Sequence, residues 1–142
     1  MKVAIFTDTY PPFINGVSTS TYNLRKTLID HGHDVLVLAP RTDDGEFELK
    51  DGIIWLPGFE LKKMYGYRLA SIYSSRAMKI LEQFKPDLIH YQTDFSLGQF
   101  AKISAKKLNV PIIYTYHTSY EDYTYYITHG FLDRVAKKTI RA

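Results

Sequence analysis

Cysteine is absent from the 142-residue sequence. This absence excludes disulfide bonds, thiol nucleophiles and cysteine-ligated metals. Long apolar runs are missing as well, since no stretch approaches the ~20 residues of a membrane-spanning helix. The apolar N-terminal segment, residues 1–6, is too short for a signal peptide. We therefore expect a soluble, cytoplasmic protein.

The usual nucleotide-binding motifs are also lacking. A single glycine, Gly16, follows the first apolar run, and no acidic residue ends the second, which continues into Arg41. This departs from the dinucleotide pattern of three glycines and a later acidic residue, and the phosphate loop of ATPases and GTPases is missing too. Nicotinamide cofactors and nucleotide hydrolysis are therefore disfavoured.

The histidines and serines show no metal-binding or triad pattern. His31 and His33 flank a glycine turn, and His129 stands alone, so we expect no metal ion. Ser18 and Ser96 occupy helix-start positions, where capping explains them. We expect neither a bound cofactor nor a protein nucleophile.

Apolar residues make up 45% of the chain, enough for a core, and 12 tyrosines suggest surfaces that are both apolar and hydrogen-bonding. Near-continuous apolar runs predict buried parallel strands at 2–7, 34–39, 87–91 and 111–116. Helical spacing predicts helices at 17–31, 69–84, 96–108 and 131–141. Residues 47–49 and 53–56 are candidates for extra strands. This alternation predicts one α/β domain over residues 1–142, Rossmann-like and doubly wound around a mostly parallel sheet.

Ligands of such sheets bind beyond the carboxyl ends of the strands. In the first loop, Gly16 would let a ligand approach backbone N–H groups at a helix N-terminus, although Asn15-Gly16 can also be a capping turn. In the loop after residues 87–91, Asp94 and Ser96 are expected to cap the next helix, and His90 is interpreted as structural.

His117 ends the run at 111–116 among polar residues. A histidine at such an edge can hydrogen-bond a substrate hydroxyl or act as acid or base, and Glu121 or Asp122 could orient it. We favour this functional interpretation over a structural one.

The stretch 59–68 mixes cations with aromatic residues. Such mixtures occur in peripheral proteins that contact anionic lipid, and also in solvated loops. The sequence leaves both interpretations open.

Read together, these loops resemble the N-terminal domain of GT-B fold, family 4 retaining glycosyltransferases. The matching elements are Thr7-Asp-Thr-Tyr-Pro-Pro12, Asn15-Gly16-Val17, Asp87-Leu-Ile-His90 with Ser96-Leu97-Gly98, and Tyr116-His117-Thr118 followed by Tyr120-Glu121-Asp122-Tyr123. The last segment is most similar to bacterial glucosyltransferases acting on 1,2-diacylglycerol.

The resemblance implies a two-domain enzyme, of which this chain is the acceptor-side half. The donor-binding C-terminal domain would be a partner absent from the chain, which stops within a helical pattern, so the chain alone should be inactive. Gly16 and Val17 would contact the donor, and His117 would contact the transferred sugar and assist same-face attack without a metal. Acceptor-side roles would fall to Tyr10, Asp94, Thr118, Tyr120, Asp122 and Tyr123. The membrane-facing residues would be Lys62, Lys63, Tyr65 and Arg68.

The implied function is transfer of a hexose, with UDP-glucose as the expected donor, to a lipid such as diacylglycerol at the inner face of the cell membrane. Phosphatidylinositol or a soluble sugar is an alternative acceptor. A non-catalytic α/β binding module is a different class of function. Nucleic-acid binding, suggested by a pI near 9.0, lacks any recognition motif, so we expect no such partner.

Overall fold

The computed structural model describes residues 1–60 and 68–117. These residues form a six-stranded sheet, a separate two-stranded sheet and three helices. In chain order the elements are β1 (Lys2–Phe6), α1 (Gly16–Asp30), β2 (Asp34–Pro40), β3 (Glu48–Lys50), β4 (Ile53–Leu56), β5 (Gly58–Glu60), β6 (Arg68–Ala70), α2 (Ser75–Phe84), β7 (Leu88–Tyr91), α3 (Ser96–Leu108) and β8 (Ile112–Tyr114).

The main sheet has the strand order β3-β4-β2-β1-β7-β8. All its neighbouring pairs are parallel except β3 and β4, which are antiparallel. From β1 the chain moves outward to β2 on one side and later to β7 on the other. The strand order therefore reverses beside β1, as in doubly wound folds, and the predicted fold class is confirmed.

Two apolar clusters cover the two faces of the sheet. Alternate residues of β1 point to opposite faces, so Ala4 and Phe6 join one cluster while Val3 and Ile5 join the other. The larger cluster contains the buried residues of α2 and α3, and the smaller one packs against Leu24 of α1. The helices thus lie on both sides of a buried sheet, which explains its continuous apolar strands.

The predicted parallel strands and the helix at 96–108 are confirmed, with shifts at strand ends, and both candidate extra strands are present. The predicted burial of the strand at 111–116 is wrong, because β8 lies at the edge of the sheet, where Ile112 and Ile113 are 39% and 47% exposed. The helix predicted at 69–84 is wrong over its first third. Residues 68–70 instead form β6, where Leu69 pairs with Phe59 of β5, and the helix begins after Ser74, whose Oγ accepts a hydrogen bond from the N–H of Ala77 (3.2 Å). Pairing with a distant strand and a serine cap outweigh the helical spacing of the apolar residues. The helix predicted at 131–141 lies outside the described residues.

Candidate functional site

Five parallel strands, β1, β2, β4, β7 and β8, end at the carboxyl edge of the main sheet. The loops after β1 and β7 flank the position where the strand order reverses. Gly16 follows the first of these loops and His117 follows β8, so both predicted site residues lie at this edge. This is the position at which open α/β sheets bind ligands.

Asp8 joins the loops after β1 and β7. One of its carboxylate oxygens accepts hydrogen bonds from the hydroxyl of Thr93 (2.6 Å) and the N–H of Phe95 (3.2 Å). The other accepts from the hydroxyl of Ser96 and the N–H of Leu97, both at 3.0 Å. Asp8 is 2% exposed. Burial raises the pKa of its carboxyl above the ordinary value, and the four donors act against this shift.

Asp8 caps α3 in place of the residues predicted to do so. The capping position belongs to Phe95, whose side chain makes no capping bond, and Ser96 donates to Asp8. The predicted capping role of Asp94 and Ser96 is therefore wrong. The reason is topological: β1 and β7 are neighbours, so an acid following β1 reaches the helix that follows β7.

Asp94 instead contacts the body of α3. Its Oδ1 accepts hydrogen bonds from Lys102 (2.9 Å) and Gln99 (3.4 Å). The first turn of α3 packs tightly against this loop. A methyl group added at Gly98 would overlap the carbonyl oxygen of Thr93, so the packing leaves no room for a side chain there. The predicted acceptor-binding role of Asp94 stays a prediction, and these two contacts are structural.

The N-terminus of α1 is held open to solvent at Gly16. Asn15 caps the helix, its Oδ1 accepting from the N–H of Ser18 (2.8 Å), while its Nδ2 donates to the hydroxyl of Thr9 (2.9 Å). Thr9 and Ser18 also share a hydrogen bond of 2.7 Å. Gly16 lacks a positive φ, and a methyl group added there would meet nothing within 4 Å. Neither backbone strain nor packing requires this glycine.

His117 is positioned by a residue of the neighbouring loop. Its Nε2 lies 3.2 Å from Oε1 of Gln92, a side chain that is 1% exposed. His90 makes a similar contact, with its Nε2 2.6 Å from Oγ1 of Thr115. Burial lowers the pKa of both histidines, and the positive charge of His117 lowers that of His90 further.

Tyr10 is buried, with 4% exposure. Its ring contacts Trp55 edge-on at 6.1 Å between centroids, and its hydroxyl lies 3.5 Å from the guanidinium of Arg25. An acceptor-binding role for Tyr10 stays a prediction that this burial disfavours.

A shallow groove lies at the ends of β1 and β2. Two arginines line it, Arg41 and Arg68, and each is held by an acid: Arg41 by Asp43 at 2.7 Å and Arg68 by Asp44 at 2.7 Å. The side chain of Arg68 is 9% exposed. These contacts disfavour the membrane-facing role predicted for Arg68.

Several predicted residues lie outside the described part of the chain. They are Lys62, Lys63, Tyr65, Thr118, Tyr120, Asp122 and Tyr123. Within residues 1–60 and 68–117, no three acidic, histidine or cysteine side chains are grouped to hold a metal ion. In the same residues, no helix is long and apolar enough to cross a membrane.

Asp8 and Gln92 are site residues that were not predicted from the sequence. Each directly follows a predicted apolar run, at the edge where the strands end. Their position could have been noted from the strand pattern. Their partners could not, because each contacts a residue 25 or more positions away.

Comparison with known proteins matches residues 14–142 to a family described as glycosyltransferase family 4. Two proteins named alpha-monoglucosyldiacylglycerol synthase are similar: that of Acholeplasma laidlawii is 37% identical over 97% of this chain, and that of Streptococcus pneumoniae is 39% identical over 94%. A GDP-mannose-dependent alpha-mannosyltransferase of Corynebacterium glutamicum is 33% identical over 83% of this chain.

The alignments cover 36%, 30% and 29% of those three relatives, so this chain spans about a third of their length. Among solved structures, the UDP-GlcNAc 2-epimerase of Methanocaldococcus jannaschii aligns with 99% of this chain and 37% of its own. Its TM-score is 0.50 at 17% sequence identity, a likeness of fold alone.

Proposed function

The chain belongs to glycosyltransferase family 4, and we propose that it forms the acceptor-side domain of an enzyme that transfers a hexose from a nucleotide-diphosphate sugar. A second, donor-binding domain would supply the opposite wall of the cleft. This part of the proposal rests on the greater length of the relatives, of which the chain spans about a third.

The observation that carries the proposal is the open N-terminus of α1 at the same sheet edge as His117. Backbone N–H groups at a helix N-terminus favour an anion, and a diphosphate is such an anion. The missing side chain at Gly16 leaves room for that group. Val17, the next residue of α1, would complete the donor contact.

His117 would contact the transferred sugar in this arrangement. Because burial lowers the pKa of its imidazole, the ring is neutral at pH 7 and can accept a hydrogen bond from a sugar hydroxyl. We propose no protein nucleophile, in keeping with a same-face retaining transfer.

We propose glucose from UDP-glucose as the transferred group and diacylglycerol as the acceptor. The support is the similarity to two proteins named alpha-monoglucosyldiacylglycerol synthase, which extends over nearly the whole chain. Such an acceptor would place the enzyme at the inner face of the cell membrane. Phosphatidylinositol or a soluble sugar is the second candidate acceptor.

A GDP-sugar is the second candidate donor. Its support is the 33% identity to a GDP-mannose-dependent mannosyltransferase. The donor base would be bound mainly by the second domain.

The test is a transfer assay with the full-length protein that carries this chain. UDP-glucose and GDP-mannose are each offered with diacylglycerol in anionic vesicles, with phosphatidylinositol, and with soluble sugars. We expect glucose transfer to diacylglycerol, and a fall of at least ~100-fold in His117→Ala, as for a group that acts in the transition state. His31→Ala, at the exposed end of α1, is the control and should keep full activity.

Two results would contradict the proposal. Transfer to a soluble sugar, with no transfer to any lipid, would show that the acceptor is not a lipid. No transfer with any pair by a well-folded protein would favour a non-catalytic binding module.

A further inference from the structure

Two side-chain hydrogen bonds continue the pairing of β7 and β8 beyond the strands. The backbone register pairs His90 with Ile113 and Tyr91 with Tyr114. The side chains then join His90 to Thr115, and Gln92 to His117, each across 25 positions. Because alternate residues of a strand share a face, these contacts form two parallel links between the adjoining loops. The second link fixes where the ring of His117 lies.

The chemistry of Gln92 restricts the proton on that ring. Oε1 of Gln92 faces Nε2 of His117, and because an amide oxygen can only accept, this contact is a hydrogen bond only in the tautomer that carries its proton on Nε2. The amide Nε2 of Gln92 is buried and has no hydrogen-bond partner among the residues that the structure describes. A buried donor without a partner is costly. The amide is thus placed with Oε1, and not Nε2, toward His117.

The second ring nitrogen of His117 is left available. Nδ1 has no partner among residues 1–60 and 68–117. In a neutral ring that is protonated on Nε2, Nδ1 is purely an acceptor. Burial lowers the pKa of His117 below its ordinary value, so the ring is neutral at pH 7.

We propose that Gln92 is a positioning residue: it holds His117 as the Nε2-protonated tautomer and so reserves Nδ1 to accept a hydrogen bond from a substrate hydroxyl. This rests on the proposed function only in that the hydroxyl belongs to a sugar. A substrate hydroxyl can donate its own proton to Nδ1, because the ring proton lies on Nε2 and is donated to Gln92. A ring protonated on Nδ1 would instead present a donor at that nitrogen.

The tautomer can be measured without any substrate on the full-length protein that carries this chain. The ¹⁵N shifts of the histidine ring nitrogens distinguish protonated from unprotonated nitrogen, and the His117 signals are those that vanish in His117→Gln. At neutral pH we expect Nε2 protonated and Nδ1 unprotonated. The Nδ1-protonated form would overturn the proposal, because it would mean that the amide of Gln92 donates to the ring.

Two substitutions test the same link. Gln92→Met removes the acceptor at similar length, and we expect it to lose the single-tautomer signal. Gln92→Glu keeps an acceptor, so the Nε2-protonated form should persist, and the added negative charge should raise the pKa of His117. Gln83→Met, on the exposed face of α2, is the control and should leave the His117 signals unchanged.

Activity of the full-length enzyme separates this inference from the proposed function. Gln92→Met should lower kcat about tenfold with little change in KM, the size of one lost hydrogen bond, and Gln92→Glu should restore kcat where His117 stays neutral. An enzyme that is active and unaffected by Gln92→Met would overturn the positioning role. The expected tautomer in a protein that transfers no sugar would contradict the proposed function and leave the Gln92 link intact.

Discussion

Asp8 holds together the two loops at the reversal of strand order, and its replacement should destabilise the fold. Asp8→Ala removes the acceptor of four hydrogen bonds in a site that is 2% exposed. The loss of a helix cap costs ~1–2 kcal/mol. A buried backbone N–H left without its acceptor adds ~1–3 kcal/mol, whereas the hydroxyls of Thr93 and Ser96 can turn to other acceptors. We expect the free energy of unfolding to fall by about 2–5 kcal/mol.

Asp8→Asn provides a finer test of the same geometry. Each carboxylate oxygen accepts one hydroxyl and one backbone N–H. An asparagine keeps one acceptor oxygen but turns an NH₂ group toward the other pair of donors, so we expect an intermediate loss of about 1–2 kcal/mol.

Urea unfolding at pH 7, followed by circular dichroism, gives the free energy of unfolding of the wild type, Asp8→Ala and Asp8→Asn. The m-value should stay constant if the native fold is kept. Asp30→Asn, at an exposed position of α1, is the matched control and should change stability by less than ~0.5 kcal/mol. If Asp8→Ala and Asp8→Asn both lie within that range, the carboxylate does not cap α3 in solution.

Two further predictions concern ionisation. Burial lowers the pKa of His90 below its ordinary value near 6.5. The folded protein therefore binds a proton at His90 less readily than the unfolded chain does. The stability that His90 contributes is fully present above pH ~6.5 and is lost as the pH falls through the folded-state pKa. His90→Gln should therefore lose less stability than the wild type between pH 7 and pH 5 in urea unfolding, and identical pH profiles would contradict this. The hydrogen bond from Arg41, aided by the N–H of Gly45, lowers the pKa of Asp43 to about 2. An NMR titration of the carboxyl carbon should show that midpoint rising toward 3.8 in Arg41→Gln, and an unchanged midpoint would exclude the pairing.

The strand pattern predicted the main sheet because burial on both faces leaves a signal in the sequence itself. Continuous apolar runs at β1 and β2 report burial directly, whereas β7 is buried at alternate residues. Helix α3 combines apolar spacing with a clear start and end. The error at residues 68–70 has a different origin. The apolar spacing there suits a helix, but pairing of Leu69 with Phe59 depends on a contact that local spacing does not encode.

The candidate site was predicted in part for the same reason. The positions of Gly16 and His117 follow from the ends of predicted strands. The roles of Asp8 and Gln92 depend on which strands are neighbours, and that order is set by the packing of the whole domain. Asp8 shows this most clearly, because it caps a helix that begins 88 residues later in the chain.

The most direct test of the central claim is the effect of Gly16→Ala on both sugar transfer and stability. The claim is that a substrate group approaches the backbone at the N-terminus of α1. The added methyl group meets nothing within 4 Å, and alanine favours helix, so the melting temperature should stay the same or rise slightly. We expect kcat/KM of the full-length enzyme to fall about 100-fold through displacement of the bound donor. A stable variant that retains wild-type transfer would contradict the account, because it would show that no substrate group occupies the space beside Gly16.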